Sequence, residues 1–262
     1  MTKFFQPDPN KILIVDISKW QDAPNTPKIP DFEIMKSRGV SGVIVKCGEA
    51  NSIDRAFLSY VDALVKAEMP YGIYWYYNNK YPPKKQAMLF ASTLQNGTNS
   101  QPLGLVPKLG FWLDLEDRNP GKYIGWKHWY DFLAELKSDF PTELIGIYTG
   151  FYYFTEMTIS LGISASSLDW FKQFPLWIAS YSYNPRVPKP WGDNWTLWQF
   201  TDVLDGLQFG VESKELDGNY FNGTMEEYKQ FFRLVTTPAK ERKLIKTIYV
   251  YSDGSEEVIE EK

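Results

Sequence analysis

Three acids close the apolar run GFWLDLED at positions 110–117. In an extended strand, residues two apart point to the same face, about 6.6 Å apart along the chain. Asp114 and Glu116 therefore share one face, and Leu113 and Leu115 share the other. Carboxylates in an apolar strand are costly unless they are paired, hydrogen-bonded or used in chemistry. These two acids are therefore the first candidates for a functional site.

Two further acids belong to other predicted strands. Asp16 closes the strand in IVDISKW, and Asp217 lies in the short strand of ELDGNY. In a parallel barrel the C-terminal ends of the strands meet at one mouth, where the four carboxyls would converge. Like charges in one place raise the pKa of at least one member, and glycoside hydrolysis needs one protonated and one ionised carboxyl. The structural alternative is that Asp16 and Asp217 form or cap turns. Asp114 and Glu116 would then pair with Lys46 or an arginine.

Charge and the rare residue types narrow the chemistry. The chain has 262 residues, a net charge of −4, one cysteine, Cys47, and one histidine, His128. An internal disulfide is impossible, and a zinc site of His and Cys ligands is nearly excluded because it needs three or four of them. The charge lacks the basic excess of a nucleic-acid-binding protein. We therefore expect carboxylate chemistry without a metal or cofactor.

The elements that must position these acids alternate between strand and helix. Strands are predicted at 11–20, 42–50, 71–77, 110–117 and 144–150, and helices at 31–39, 54–69, 82–95 and 124–140. Three strands follow at 175–181, 196–202 and 215–223, and then a helix at 225–235. This order favours an α/β fold, an irregular (β/α)5β3 TIM-like barrel. The alternative is a doubly wound open sheet, although no GxGxxG follows the first strand.

The chain after Pro238 has a different pattern. KTIYVYSDGSEEVIEEK (246–262) alternates in polarity, with Asp253-Gly254 at its middle, which predicts a small C-terminal β-hairpin extension. We therefore expect a catalytic barrel domain at 1–237 and an extension at 238–262. The extension either covers the barrel or provides, through residues 240–262, a contact for a partner or a second copy of the chain.

Eight short motifs occur along the chain in an order that carries a resemblance. They are VDISKWQ (15–21), VIVKCGEA (43–50), YGIYWYY (71–77), FWLDLED (111–117), IGIYTG (145–150), LWIASY (176–181), LWQFTD (197–202) and LDGNYF (216–221). The set resembles the glycoside hydrolase family 25 muramidases, the Chalaropsis-type lysozymes of bacteriophages, bacteria and fungi, over about residues 11–235. The resemblance implies a metal-free enzyme that cleaves the β-1,4 bond between N-acetylmuramic acid and N-acetylglucosamine in peptidoglycan.

The resemblance also implies roles for the four acids. By position, Glu116 matches the family's general acid. Asp114 matches its partner, either a nucleophile or the group that stabilises an oxazolinium formed by the substrate's acetamido group. Asp16 and Asp217 match the supporting acids. The spacing leaves the carboxyl separation open and does not choose between mechanisms, but we expect a raised pKa for Glu116 and an ionised Asp114.

Aromatic residues at other strand ends extend the predicted site. Tyr74 and Tyr148 are candidates to hydrogen-bond the acetamido group or Asp114, and core packing would explain them equally well. Trp177 and Tyr181 are candidates for a sugar platform, because flat amphipathic rings suit the apolar faces of sugars. For Trp177, packing is the alternative.

Two polar residues complete the set of substrate-binding candidates. Gln199 is polar within the aromatic strand LWQFT, which favours a hydrogen-bonding role. Lys46 ends the second strand, where it would pair with an acid at the mouth or have a purely structural role.

Three functions stay open at this point. The first is a muramidase that acts on peptidoglycan glycan strands, and the second is a non-catalytic glycan-binding or structural module. The third is a glycosidase for another N-acetylated glycan, such as chitin. The N-terminal MTKFFQPDPNK lacks the features of a secretory signal. The sequence has no run of about 18 apolar residues, so membrane insertion is not expected. A lysin would then wait in the host cytoplasm for a holin-type pore, or be carried by the virion, before it acts on the cell wall.

Overall fold

The computed structural model of the chain describes residues 5–22, 28–96, 107–234, 246–250 and 255–260. Its main sheet contains β1 (Leu13–Ile17), β2 (Val40–Glu49), β3 (Ser52–Ile53), β4 (Tyr71–Tyr76), β5 (Phe111–Leu115), β6 (Ile145–Gly150), β7 (Leu176–Ala179), β8 (Leu197–Asp205) and β9 (Glu215–Phe221). All of these except β3 close into a barrel, in the order β1, β2, β4, β5, β6, β7, β8, β9 and back to β1. Neighbours are parallel from β1 round to β8, and β9 is antiparallel to both β8 and β1. The predicted barrel is confirmed, and an open doubly wound sheet is excluded.

Helices cross between the parallel strands on the outside of the barrel. They are α1 (Phe32–Ser37), α2 (Phe57–Lys66), α3 (Pro83–Asn96), α4 (Trp126–Asp139) and α5 (Phe151–Ser160), followed by α6 (Ala165–Asp169) and, after β9, α7 (Met225–Phe231). The sequence pattern missed α5. Its segment FYYFTEMTIS is rich in aromatic and β-branched residues, which are weak helix formers, and its N-cap, Gly150, has no side chain to cap it. The parallel crossover from β6 to β7 nevertheless requires a connection of this length.

Apolar side chains fill the lower part of the barrel and leave the polar site at the top. Trp112 and Trp177 lie inside, and Tyr228 on α7 and Phe232 directly after it belong to the same apolar cluster. A Cβ on Gly146 would lie 2.3 Å from the Trp112 ring, so a glycine is needed there for the indole to fit. Because this end of the barrel is filled, a ligand must approach from the C-terminal ends of the parallel strands.

The C-terminal segment forms a separate strand pair. β10 (Lys246–Val250) and β11 (Glu256–Glu260) are antiparallel, with Lys246 opposite Glu260. The predicted turn at Asp253-Gly254 and the proposed domain boundary at 237/238 lie outside the described residues. In the part of the chain that the structure describes, no helix is long and apolar enough to cross a membrane.

Candidate active site

The strand register brings the four predicted acids to one end of the barrel. Asp16 on β1 lies opposite Asp217 on β9, and Asp114 on β5 is aligned with Tyr148 on β6. Together with Glu116, these residues line a cavity of about 230 Å³, which we call the acid cavity. The remaining residues of its lining are Tyr74, Trp177, Tyr181, Gln199 and Asp202. Five of the six predicted substrate-binding residues therefore lie around the acids.

Two amides hold Asp16 in place. Its Oδ2 accepts hydrogen bonds from Gln199 Nε2 at 3.1 Å and from Asn219 Nδ2 at 2.9 Å. Gln199 Oε1 in turn accepts from the hydroxyls of Tyr148 at 2.9 Å and Tyr181 at 3.0 Å. The buried Gln199 thus has the predicted hydrogen-bonding role, and it connects Asp16 to two tyrosines of the cavity wall.

Asp16 and Asp217 differ in protonation near neutral pH. Burial raises the pKa of Asp16 to about 6, although the hydrogen bonds from Asn219 and Gln199 lower it. Burial and the negative charges of Asp16 and Asp202 raise the pKa of Asp217 to about 9. Since the pKa of Asp217 lies the higher of the two, Asp217 is the protonated member and Asp16 the ionised one.

Asp114 is buried, and one of its carboxyl oxygens has no polar partner among the described residues. Its side chain is 4% exposed, and Oδ1 accepts no hydrogen bond from any residue that the structure describes. Loss of water and the nearby charge of Glu116 raise the pKa of Asp114 well above its ordinary value, against the opposing charge of Lys46. The direction of this shift opposes the expectation of an ionised Asp114, while the positive charge of Lys46 favours its carboxylate form. The protonation state of Asp114 therefore stays a prediction.

Glu116 follows β5 directly and is exposed at the mouth. The walls of the mouth still remove enough water to raise its pKa, and the charge of Asp16 acts in the same direction. The charge of Lys46 and the nearby hydroxyl of Tyr148 partly offset this rise. The direction agrees with the expectation for Glu116, and its exposure lets the carboxyl reach a ligand in the groove.

Lys46 lies beside the acid cavity rather than in its lining. It is buried, its Nζ lies 2.5 Å from Glu49 Oε2, and the ammonium is 4.8 Å from the centre of the Tyr76 ring. The acid that it pairs with is therefore not one of the four. Lys46 therefore pairs with an acid, as one of the two interpretations expected, and its contact with substrate stays a prediction. Its influence on the site is the positive charge that lowers the pKa of Asp114 and Glu116.

Trp177 forms the floor of the acid cavity but is no sugar platform. It is 1% exposed, and the rings of Tyr74, Trp112 and Tyr148 pack around it in edge contacts with centroids 4.6–6.2 Å apart. A sugar cannot stack on a ring whose faces are covered, so the platform prediction is wrong for this residue. Its indole Nε1 donates to Asn219 Oδ1 at 2.7 Å and so supports the amide that holds Asp16.

Tyr181 is the exposed aromatic residue that joins the acid cavity to its surroundings. Its side chain is 57% exposed and lines two more cavities. One of about 390 Å³, the side cavity, also contains Glu116, Tyr152 and Arg186. The other, of about 560 Å³, is the outer cavity, which extends towards the N-terminal segment. The acids therefore lie in the middle of an extended depression.

Sequence reasoning overlooked several residues of the site. Asn219 lies two positions after Asp217 on β9, so the same-face rule that joined Asp114 to Glu116 would have found it. No comparable signal marked Tyr152 and Arg186, which follow the strand ends and come together only in the fold.

The site is suited to acid–base cleavage of an extended ligand. It combines a protonated and an ionised carboxyl, a buried acceptor without a partner, and an exposed acid on a groove that continues to either side. Two carboxyls that differ in protonation are the basic requirement of a glycosidase. A barrel with this mouth has the form of a glycoside hydrolase.

Comparison with known proteins gives the family. The model of the family described as Glycosyl hydrolases family 25 matches residues 15–206, and the chain belongs to this family and is a glycoside hydrolase. The resemblance drawn from the eight motifs is thereby confirmed. An uncharacterized protein of Escherichia coli (strain K12), YegX, is 25% identical over 229 residues, which cover 83% of this chain and 72% of that protein.

Solved structures share the fold. A bacterial lysozyme from Streptomyces coelicolor superposes with a TM-score of 0.63 at 23% identity, covering 84% of this chain and 96% of that one. The catalytic domain of an endolysin from a bacteriophage of Listeria monocytogenes gives a TM-score of 0.62 at 20% identity, with coverages of 81% and 94%.

Proposed function

We propose that the protein is a muramidase, which hydrolyses the β-1,4 bond between N-acetylmuramic acid and N-acetylglucosamine in peptidoglycan. The observation that carries the proposal is the pairing of Asp114 with Glu116. One is a buried carboxyl whose Oδ1 lacks a partner, and the other is an exposed carboxyl with a raised pKa. The family membership and the lysozyme and endolysin names of the structural neighbours support the choice of substrate.

In the first step Glu116 acts as general acid. Its exposed carboxyl donates a proton to the glycosidic oxygen, the bond from that oxygen to the anomeric carbon breaks, and the leaving sugar departs with a free hydroxyl. Positive charge develops at the anomeric carbon. The ionised Asp16 and the carboxylate form of Asp114 lie on the cavity wall where they can stabilise this charge.

Asp114 has one of two roles in that step. As a nucleophile, its carboxylate forms an ester with the anomeric carbon. In the substrate-assisted alternative, the acetamido carbonyl oxygen forms the new bond, and Asp114 Oδ1 accepts the acetamido N–H and stabilises the oxazolinium. In either case Glu116, now a carboxylate, removes a proton from the water that attacks the anomeric carbon. The products are the shortened glycan and a regenerated acid pair.

The remaining polar groups keep the substrate and the acids in position. Burial raises the pKa of Tyr74 and Tyr148 well above the usual tyrosine value, so both hydroxyls stay protonated and able to donate. Asp217, with a pKa of about 9, is likewise a donor near neutral pH. Tyr181, exposed beside them, is the candidate sugar platform. As a wall hydrolase, the protein would serve as a phage lysin or as a bacterial enzyme.

Product analysis tests the bond that is cleaved. Purified wild-type protein and Glu116→Gln are incubated with peptidoglycan, and the fragments are reduced with borohydride and identified by mass spectrometry. The proposal predicts reduced muramic acid at the new ends with the wild type and none with the variant. Reduced glucosamine ends would mean a glucosaminidase. An absence of fragments from several wall types, with cleavage of chitin or of no glycan, would favour the other two functions considered from the sequence.

A further inference from the structure

The outer cavity lies on the outside of the barrel wall, next to the mouth. Trp198 and Phe200 on β8 alternate with Gln199, which faces the acid cavity, so their rings point outward. The N-terminal segment covers this face. Phe5 N donates to Val203 O at 3.0 Å, and the Phe5 ring lies 5.1 Å from that of Phe200. The described part of this segment thus builds one wall of the cavity.

The outer cavity is continuous with the acid cavity over the rim. Tyr181 and Asp202 line both of them. A group attached to a sugar in the acid cavity therefore needs to pass only these two side chains to enter the outer cavity.

Lys11 is the lysine of the outer cavity, and its charge has no acidic partner. Its ammonium lies 5.1 Å from the centre of the Trp198 ring and 5.0 Å from that of Tyr220. Among the described residues it forms no ion pair, and its side chain is exposed. Two ring faces hold the charge in one place without neutralising it, so an anionic group entering the cavity would find a positioned cation.

The same contacts argue against a sugar as the occupant. Trp198 and Tyr220 are 4% and 3% exposed, and the Lys11 ammonium lies over both rings. No open ring face is left on either residue for sugar stacking. What the cavity offers is a cation above an apolar floor, with the half-exposed Phe5 at its side. An acidic peptide with short apolar side chains fits this chemistry.

We propose that the outer cavity binds the stem peptide carried by the muramic acid of the glycan strand, and that Lys11 pairs with one of its carboxylates. This inference rests on the proposed function. Asp8 and Asp202, on the rim, suit the free amine of a diamino acid in the same peptide. The enzyme would then prefer strands whose peptides are intact over strands stripped of them.

The test compares the two substrates directly. Glycan strands are prepared with their stem peptides and, from the same batch, after removal of the peptides by an amidase. The value of kcat/KM is measured from the release of reducing ends. For Lys11→Met we expect a loss of about threefold to tenfold on peptide-bearing strands, the range of an exposed charge-assisted contact, and rates on stripped strands within twofold of the wild type. Lys11→Arg should restore the preference.

Lys137→Met is the matched control. Lys137 on α4 also places its ammonium over a ring, 5.8 Å from the centre of Phe174, but it lines none of the three cavities. Its removal should leave both rates unchanged. If Lys11→Met lowered kcat/KM equally on both substrates, the contact of Lys11 would be with the glycan, which would overturn the proposal. Unchanged rates with a lower melting temperature would mean that the cavity serves only the fold, which also overturns it.

A binding measurement separates this inference from the proposed function. The free acidic tripeptide L-Ala-γ-D-Glu-diamino acid is titrated into the wild type and Lys11→Met by calorimetry. Binding by the wild type that is weakened in the variant supports the site even if no wall glycan is cleaved. If both substrates were cleaved at rates that do not depend on Lys11 and the tripeptide did not bind, the proposed muramidase function would stand and the proposed peptide site would be refuted.

Discussion

Replacement of Gln199 by leucine should shift the pH dependence of the enzyme. Gln199 Nε2 donates to Asp16 Oδ2 at 3.1 Å, and this bond is one of the two side-chain contacts that stabilise the ionised form of Asp16. A hydrogen bond to a charged group contributes about 1.5 kcal/mol, and one pKa unit corresponds to about 1.4 kcal/mol. Without the bond, the pKa of Asp16 should therefore rise by about one unit from its value of about 6.

The assay is the pH profile of kcat/KM. The charge of the ionised Asp16 raises the pKa of Glu116, and in the proposed mechanism it also stabilises the developing positive charge. A raised pKa of Asp16 should therefore move the acidic limb to higher pH. At pH 7 the ionised fraction of Asp16 should fall from about nine-tenths to about one-half. The loss of activity should therefore be small at pH 8 and increase as the pH is lowered.

Gln199→Glu separates the effect on Asp16 from the effect on the tyrosines. Glutamate keeps an acceptor for the hydroxyls of Tyr148 and Tyr181 but replaces the donor to Asp16 by a second carboxyl. Its acidic limb should move at least as far as that of Gln199→Leu. Gln208→Leu, at an exposed glutamine that donates to Asp205, is the control and should leave the profile unchanged. An unmoved limb in both Gln199 variants, with folding intact, would refute the role given to Asp16.

Three further predictions follow from the same geometry. Asp217 has a folded-state pKa of about 9, above its unfolded value, so the folded state holds an extra proton and the melting temperature should fall as pH rises from about 4 to 9. Asp217→Asn should flatten that decline, and an unchanged slope would contradict the raised pKa. Gly146→Ala should destabilise by about 1–3 kcal/mol in denaturant unfolding because its Cβ meets the Trp112 ring, whereas Gly150→Ala, whose nearest contact is 4.0 Å away, should cost far less. Glu116→Gln should lower kcat by about 10²–10⁴-fold with little change in melting temperature, because the side chain is exposed; an active variant would assign the proton transfer elsewhere.

The barrel could be predicted from the sequence because the patterns that indicate it are local. Alternating strands, capped helices and strand-end acids can each be identified within a few residues, and their order defines the (β/α)5β3 arrangement. The α5 segment failed this test because FYYFTEMTIS consists mostly of aromatic and β-branched residues, which are weak helix formers, and it becomes helical to connect β6 to β7.

How deeply each side chain lies inside the barrel was not predictable from such local patterns. Trp177 and Tyr181 belong to one motif, yet one lies under three rings and the other is exposed at the mouth. The raised pKa of Asp114 likewise depends on burial by side chains from distant strands. The spacing of Asp114 and Glu116 indicated a shared face, but not that one carboxyl would be buried without a partner and the other exposed.

The configuration of the first product tests the central claim most directly. In both roles proposed for Asp114, the anomeric carbon undergoes two successive displacements, the first by Asp114 or the acetamido oxygen and the second by water. Its configuration is therefore retained, and the new muramic acid end should be released as the β-anomer. Proton NMR of a soluble glycan substrate, recorded before mutarotation, distinguishes the two anomers. Early β-anomer that is absent with Glu116→Gln is the predicted result. Early α-anomer would mean a single displacement by water and would contradict the partnership of Asp114 and Glu116.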